Sequence, residues 1–221
     1  MWDETMISMF LEGIRDTLYM TLFSTFFGYV IGMPLGIALA VTDKDGIAPN
    51  RIIYRILDVV VNIARSIPFL ILLILVIPLT KAIVGKSYGA TATIVPLTIA
   101  AAPFIGRMVE SSLKEVSKGV IEAAVSMGAK TSKIIFTVLI GEARTSLLVG
   151  VTIVLGTVLG YSAMAGVVGG GGLGDIAIRY GYYRYETETM IVTLIIIVAL
   201  VQILQGVGML ISRRLDHRTN D

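Results

Sequence analysis

The sequence predicts an all-α, polytopic membrane protein with five transmembrane helices and a short docking helix between two of them. The chain is 55% hydrophobic and 15% charged, whereas soluble domains carry about 25% charged residues. Its hydrophobic residues form five long runs, and about 20 consecutive apolar residues suffice for a helix to cross a bilayer. No repeat or low-complexity tract interrupts the chain. We therefore expect one transmembrane domain over residues 1–221.

Composition also excludes several classes of site. Cysteine is absent, so the chain offers no disulfide, thiolate metal site or cysteine nucleophile. The single histidine, His217, lies in a polar tail, which leaves no histidine for metal or triad chemistry in the spans. A net charge of +2 is too small to indicate nucleic acid as a partner. We expect no catalytic residue, no metal and no cofactor.

Five hydrophobic runs are the predicted spans. They are Leu18–Val41, Val59–Thr80, Ala90–Gly106, Leu147–Val168 and Met190–Ile211. Four of them have about 22 residues, which is roughly 33 Å of helix and enough to cross the hydrocarbon core. The third run is shorter and contains Pro96 and Pro103. We expect that span to be kinked and shielded by neighbouring helices.

The distribution of lysine and arginine predicts the orientation. One side of the membrane receives Lys44, Arg51, Arg55, Arg107, Lys114, Lys118, Lys130, Lys133, Arg144, Arg213, Arg214 and Arg218. The other side receives Arg15, Lys81, Lys86, Arg179 and Arg184. Because cytoplasmic loops carry the excess of positive charge, the N-terminus is predicted outside and the C-terminus in the cytoplasm.

Small residues recur at helical spacing in the first span. Gly28, Gly32 and Gly36 follow one another at intervals of four residues. Such a stripe lets a second helix approach closely. The residues alone do not tell whether that helix belongs to the same chain or to another copy.

The loop between the third and fourth spans, residues 112–137, contains a helix of soluble character. Ser117 is a suitable cap for a helix that begins at Lys118. Gly128 suits the left-handed position after its end, and Thr131 suits the cap of a second helical run into the fourth span. A narrow apolar stripe is formed by Val116, Val120, Ala123, Ala124 and Met127.

Two interpretations of this helix remain open on its residues alone. The alanines give a low-relief surface that can seat in a groove, and Glu122 is its only acid. These features favour docking onto a soluble partner. The surrounding lysines also suit a helix lying on the lipid surface, although such helices prefer Leu, Phe or Trp to alanine on their apolar face.

The run from Glu122 to Gly128 resembles the signature loop of ABC-importer permeases. That family has Glu-Ala-Ala, three residues and then glycine, as here. The resemblance implies a cytoplasmic coupling helix that docks onto an ATP-hydrolysing subunit. It assigns docking to Glu122, Ala123, Ala124, Met127 and Gly128. Gly141 stands where the family has a proline, and since glycine also weakens a helix, a bend is expected there.

Further motifs resemble methionine-importer permeases in particular. The resemblance extends from about Thr17 to Ile211 and rests on residues 62–69 (NIARSIPF), 101–110 (AAPFIGRMVE), 160–164 (GYSAM) and 169–174 (GGGGLG). It implies a methionine permease in a bacterial inner membrane, present in two copies and working by alternating access. It also implies two ABC ATPase subunits and an extracytoplasmic substrate-binding protein or lipoprotein as partners. The chain itself would not be an enzyme. A permease for another amino acid or a small peptide stays the alternative.

Two polar residues of the second span share a helix face. Asn62 and Arg65 are three residues apart, and an intramembrane arginine is a candidate functional residue. A structural role is the alternative, in which Arg65 reaches the interface or pairs with Asp58. Pro68 follows and is expected to kink the span.

The outer half of the fourth span contains Tyr161, Ser162 and Met164. Methionine is soft and adaptable, which suits a thioether substrate or a hydrophobic gate, but packing explains these residues equally well. The resemblance assigns Met164 to the gate or substrate path, together with Tyr161 and Ser162.

Other functional classes find less support. Residues 169–174 satisfy G-x-G-x-x-G, but no strand precedes them and no Lys-Ser/Thr follows, so we interpret them as a turn. A self-contained channel needs a filter or a ring of charges, and an intramembrane enzyme needs a nucleophile with a base. The sequence indicates neither.

Overall fold

The computed structural model describes residues 4–215, and every regular element in that range is helical. The prediction of an all-α chain is therefore confirmed. Long helices are α1 (Glu4–Thr42), α5 (Ala90–Lys114), α9 (Arg144–Ala165) and α11 (Thr187–Leu215). The lone histidine, His217, and Arg218 lie outside the described residues.

Four helical stretches in the described part are long and apolar enough to cross a membrane. They contain the predicted first, third, fourth and fifth spans, and each begins or ends beyond the hydrophobic run that predicted it. The third, α5, continues through Pro96 and Pro103 to Lys114 as one helix. It is also the most enclosed of the four, with 67% of its apolar window buried, as expected for a short span shielded by its neighbours.

The predicted second span, Val59–Thr80, is not one helix. α2 (Arg51–Ser66) ends before Pro68, and α3 (Phe69–Leu75) leaves it at an angle of 98°. Proline lacks an N–H and disfavours helical geometry in the residue before it, so α2 stops at this point. The short helix α4 (Ile77–Val84) follows. Counting α2 with α3 as one broken span brings the total for the described residues to five.

Shorter helical segments connect the remaining spans. Residues 118–142 contain α6 (Lys118–Ser126), α7 (Thr131–Lys133), a π-helical segment (Ile134–Leu139) and α8 (Ile140–Glu142). After α9 come a 3₁₀ turn (Gly166–Val168), α10 (Gly172–Ile176) and a second π-helical segment (Ala177–Tyr182). Gly141 lies within α8, which ends at Glu142, and α9 begins at Arg144; the bend expected at Gly141 stays a prediction.

The chain divides into two compact units, each assembled from three segments. The first consists of Met1–Phe27, Ile67–Ala101 and Leu155–Gln205. Its core includes Phe10, Leu173 and Ile176. The glycine-rich turn lies in this unit, where the Leu173 N–H donates to Thr17 Oγ1 at 2.9 Å. The Gly89 N–H donates to the Gly169 carbonyl, also at 2.9 Å. The predicted turn therefore covers residues 169–171 only, since Gly172 begins α10, and it is packed against its neighbours.

The second unit consists of Gly28–Ser66, Ala102–Val154 and Gly206–Asp221. Here the glycine stripe of α1 meets α5 of the same chain. A Cβ added at Gly32 would lie 2.6 Å from the Ala102 carbonyl oxygen, and one at Gly36 would lie 2.5 Å from that of Gly106. These backbones approach so closely that only glycine fits on α1.

Candidate docking site

The predicted docking helix is present as α6. It begins at Lys118 and is closed at its end by Gly128, whose φ of +73° is left-handed. The Ala129 N–H donates to the Ala124 carbonyl at 3.1 Å, which is the hydrogen bond expected of a glycine-terminated helix. Ser117 occupies the cap position, but its side chain makes no capping hydrogen bond. Thr131 is the first residue of α7, and its predicted role as cap is wrong by one residue, since Lys130 precedes that helix.

The two faces of α6 have different surroundings. Ala124 is 5% exposed and lies in the core of its unit with Val116. Glu122, Ala123 and Gly128 are exposed, and Met127 is 80% exposed. Ala124 therefore helps to seat the helix on its own unit, whereas the other predicted docking residues are open; the docking assignment stays a prediction. The predicted apolar stripe is divided between a packed side and an open side.

A cleft separates the start of α6 from the turn that follows α1. It has a volume of about 360 Å³ and is lined by residues of the turn, of the end of α5 and of α6. Lys118 Nζ lies 3.2 Å from Asp45 Oδ1 across it. Both side chains are largely exposed, so this ion pair contributes little to stability.

Charged and polar side chains of α2, α5 and the turn after α1 form a group that we call the polar cluster. Its members are Asp43, Tyr54, Asp58, Asn62, Arg107, Glu110 and Lys114. Glu110 is at its centre with a side chain that is 3% exposed. It accepts hydrogen bonds from Arg107 Nη1 at 2.6 Å and from Lys114 Nζ at 2.7 Å. The two cations thus compensate a carboxylate that could not be buried alone.

The same two cations connect Glu110 to neighbouring elements. Arg107 Nη2 donates to Asp58 Oδ1 at 2.6 Å and to Asn62 Oδ1 at 2.9 Å, both on α2. Lys114 Nζ donates to Asp43 Oδ2 at 2.6 Å, immediately after α1. The polar cluster therefore ties the end of α1 and the length of α2 to α5 within one unit.

The electrostatic environment of Asp43 favours its charged form. Burial by itself raises the pKa of the Asp43 carboxyl. The hydrogen bonds from Lys114 and from the Asp45 backbone N–H, together with the charge of Lys114, outweigh that effect and hold the pKa below its ordinary value. Asp43 is thus a permanent anion at neutral pH.

Asn62 and Arg65 have different surroundings despite their shared helix face. Asn62 belongs to the polar cluster and donates from Nδ2 to Asp58 Oδ1 at 3.2 Å. The Arg65 guanidinium lies 6.0 Å from the ring centroid of Phe104, a weak cation–π contact. Asp58 pairs with Arg107 and not with Arg65. The structural role suits Asn62, whereas Arg65 stays outside the cluster.

The three candidate gate residues also differ in exposure. The Tyr161 ring stacks on Phe69, with centroids 4.7 Å apart and planes 5° from parallel. Ser162 is buried and its hydroxyl donates to the Leu159 carbonyl at 2.7 Å, so that hydroxyl is occupied within its own helix. Met164 is 48% exposed and is the only one of the three that is both apolar and open.

Comparison with protein families identifies the chain. The sequence model of the family described as the binding-protein-dependent transport system inner membrane component matches residues 32–220. The chain belongs to this family. It is accordingly a multi-pass membrane component of an ABC transport system, as the coupling-helix motif predicted. The sequence-based alternatives of a self-contained channel and an intramembrane enzyme receive no support.

Individual members of the transport family are similar over nearly the whole chain. A probable D-methionine transport system permease protein from Vibrio cholerae is 50% identical over 98% of this chain and 96% of its own length. The methionine import system permease protein of Bacillus subtilis is 49% identical over 92% of this chain and 91% of its own.

Solved structures agree with this relationship. A chain of an inward-facing MetNI methionine ABC transporter superimposes with a TM-score of 0.96, at 47% identity, over 98% of this chain and 100% of that one. An amino acid ABC transporter with a TM-score of 0.78 and 20% identity shares the fold.

Sequence reasoning missed the polar cluster of this transport component. Arg107, Glu110 and Lys114 are spaced three and four residues apart, and opposite charges at that spacing meet on one helix face. This signal was available in the sequence. The sequence does not indicate that Asp43 and Asp58 join the cluster, because they come from the turn after α1 and from α2. Within residues 4–215, no group of three histidine, aspartate or glutamate side chains is arranged to hold a metal ion.

Proposed function

We propose that this chain is the permease subunit of an ATP-driven ABC importer that carries methionine by alternating access. The observation that supports this most directly is the near-complete alignment, at about half identity, with permeases named for methionine transport. The close superposition on a methionine transporter chain supports it independently. The sequence contains no phosphate-binding G-x-x-x-x-G-K-[ST] motif, which favours ATP hydrolysis by a separate subunit.

The proposed assembly contains two copies of this chain, two ABC ATPase subunits and an extracytoplasmic substrate-binding protein or lipoprotein. Each copy acts as one transmembrane domain with residues 112–137 as its coupling loop. The N-terminus lies outside and the C-terminus in the cytoplasm. The excess of lysine and arginine on the side of α6 supports this orientation.

Coupling follows from the path of the chain after α6. Glu122, Ala123 and Met127 offer the exposed face to the ATPase, whereas Ala124 fixes the helix to its own unit. α6 packs against the π-helical segment Ile134–Leu139, which leads through α8 into α9. Movement of α6 on ATP binding is thereby transmitted to the membrane helix α9. An element with two positions, biased at both ends, is what such coupling requires.

Met164 is the proposed gate residue. It lies near the end of α9, the helix that α6 would move, and its apolar side chain is exposed on the surface of the single chain. A pair of these side chains, one from each copy, would close the path by excluding water. Tyr161 would support the gate through its stacking on Phe69.

Docking is tested by charge reversal on α6. Glu122→Lys should abolish co-purification of the ATPase subunits in mild detergent without changing the melting temperature of the chain. Glu115→Lys makes the same charge change at an exposed position before the helix and is the matched control. Full ATPase retention by the Glu122→Lys variant would exclude the proposed docking surface.

The substrate is tested by uptake into proteoliposomes that contain the whole transporter. Radiolabelled methionine should accumulate with ATP, and excess unlabelled methionine should compete more strongly than other amino acids or dipeptides. Stronger competition by another amino acid or by a small peptide would assign the permease to that substrate.

The gate is tested by Met164→Ala. This variant should hydrolyse ATP with weaker dependence on the binding protein and leak substrate, because the closed path would be wider. Met209→Ala removes a comparably exposed methionine from α11 and should behave as wild type. Unchanged transport and coupling in Met164→Ala would contradict the assignment.

A further inference from the structure

A cavity with an excess of positive charge opens between the turn after α1 and the start of α2. Its volume is about 750 Å³. The residues that line it are Asp43, Lys44, Pro49, Arg51, Tyr54, Arg55 and Asp58. All of them belong to one compact unit. Neither the coupling mechanism nor the gate uses this cavity.

Both carboxylates of the cavity are paired with a cation of the polar cluster, although Arg107 and Lys114 also compensate Glu110, so two cations serve three carboxylates. Asp43 is paired with Lys114 and Asp58 with Arg107, each at 2.6 Å. Lys44, Arg51 and Arg55 are exposed, and none of them has a carboxylate within 4.0 Å in the part of the chain that the structure describes. The cavity therefore has three cations without a carboxylate partner of their own against one remaining negative charge of the polar cluster. This excess of positive charge favours an anionic ligand.

An exposed aliphatic face adjoins these cations on α2. Arg51 and Arg55 are four residues apart and lie on one edge of the helix. Ile52 and Ile56 occupy the neighbouring edge and are 73% and 59% exposed. The exposed apolar surface continues along the helix through Val59, Val60 and Ile63. A ligand bound to both edges needs an anionic end and a long apolar end.

The position in the chain matches the boundary of a bilayer. α1 is apolar along its membrane-crossing length and ends at Thr42, directly before Asp43 and Lys44. Basic side chains at such a boundary attract anionic headgroups, and aliphatic side chains beside them lie at the depth of the acyl chains. A free phosphate would satisfy the cations only and would leave the aliphatic face without a partner.

We propose that this cavity binds the phosphate headgroup of an acidic phospholipid, with its acyl chains along the Ile52–Ile63 face of α2. Arg51 and Arg55 bind the phosphate through guanidinium hydrogen bonds. Lys44 adds a third positive charge. The site would hold an acidic phospholipid, in preference to a zwitterionic one, where α1, α2 and the polar cluster meet.

Native mass spectrometry of the full chain in mild detergent tests this site, with phosphatidylglycerol and phosphatidylethanolamine supplied in equal amounts. The wild-type chain should retain phosphatidylglycerol preferentially. Arg51→Gln/Arg55→Gln should weaken that retention about 30-fold, since each basic residue near an anionic surface contributes roughly a factor of five. Arg51→Lys/Arg55→Lys keeps both charges and should lose far less. Retained lipid binding by this variant would also show that substitution of both arginines leaves the site folded.

A matched pair of arginines at another helix end is the control. Arg213→Gln/Arg214→Gln removes two exposed guanidinium groups from the end of α11 and should leave the preference intact. An equal loss in this control would overturn the proposal in favour of general surface charge. Complete displacement of phosphatidylglycerol by inorganic phosphate would overturn it in favour of a free anion. If the Arg51→Gln/Arg55→Gln variant loses self-association but retains phosphatidylglycerol as the wild type does, the surface would instead bind a second copy of the chain.

Discussion

At the scale of single residues, Glu110 has the greatest influence on the second unit. Its buried carboxylate sits between Arg107 and Lys114, and each of these cations also pairs with an aspartate from another element. Removing the central charge takes one of two carboxylate partners from each cation, although Arg107 keeps Asp58 and Lys114 keeps Asp43. A partly buried cation that loses compensation is destabilised.

We expect Glu110→Gln to lower the free energy of unfolding by about 2–3 kcal/mol, less than for a fully buried pair because Lys114 is partly exposed to solvent. The measurement is thermal unfolding in detergent, followed by size-exclusion chromatography. Glu115→Gln neutralises an exposed glutamate five residues later and should leave the melting temperature unchanged. Equal melting temperatures for the two variants would mean that the polar cluster does not stabilise the fold.

Asp43 gives the polar cluster a dependence on pH. Since its pKa is lower in the folded chain than in the unfolded chain, its contribution is complete above the ordinary aspartate pKa of about 3.9. The contribution is lost as the pH falls through the lower pKa of the folded state. Asp43→Asn should therefore melt below the wild type at pH 7, and the two melting temperatures should converge as the pH falls below about 4.

Asp45→Asn is the appropriate comparison for this pH series, because Asp45 makes only an exposed ion pair. Its melting curve should follow that of the wild type at every pH. A constant difference between Asp43→Asn and the wild type down to the acid limit would show that the stabilisation does not come from ionisation of Asp43.

At the scale of helices, the crossing of α1 and α5 leaves little room for change. Gly32→Ala would place a methyl group against the Ala102 backbone and should destabilise the chain by about 1–3 kcal/mol through overpacking. Gly206→Ala adds the same group to α11, where nothing lies within 4 Å, and should stabilise by up to about 1 kcal/mol. Thermal unfolding in detergent compares them. Similar melting temperatures would contradict close packing at Gly32.

Helices that depend on local signals were predictable from the sequence, whereas the broken span was not. The left-handed Gly128 after α6 follows from glycine geometry. Ser117 indicated the start of α6 at Lys118 correctly, although its side chain makes no capping hydrogen bond. Pro68 indicated a kink, but a 98° turn also depends on where α3 can pack. Phe69 stacks on Tyr161, which lies 92 positions later in the sequence. No pattern near Pro68 contains that contact.

The same distinction applies to the candidate site. Glu122, Ala123 and Met127 are on the open face of α6, in agreement with the docking motif. Ala124 is packed inward, and its neighbours determine this through contacts that a helical wheel cannot supply. The polar cluster is a second case, because its aspartates come from α2 and from the turn after α1.

At the scale of the whole molecule, much apolar surface is left uncovered. Only 6% of the apolar window of α11 is buried, against 67% for α5. A helix of this kind needs lipid or another subunit around it. The proposed pairing of two copies would cover part of that surface.

Co-expression of two versions of the chain with different affinity tags tests the pairing. Purification through one tag should recover the other at about half the amount of the selected tag from mild detergent, because random pairing of interchangeable copies gives about two mixed pairs for each like pair. Mixing separately purified versions is the control for exchange and should recover little. Recovery of a single tag from co-expressed chains would exclude a stable pair.

The arrangement of the two units has a consequence for biosynthesis. Domains of ordinary proteins fold in order of their emergence from the ribosome, the N-terminal one first. Here each unit needs three separated segments, and the last ones are Leu155–Gln205 and Gly206–Asp221. Neither unit can be completed while translation is still in the middle of the chain. Helix α1 and the other early helices therefore lack their final neighbours in the membrane until nearly the entire polypeptide has been inserted.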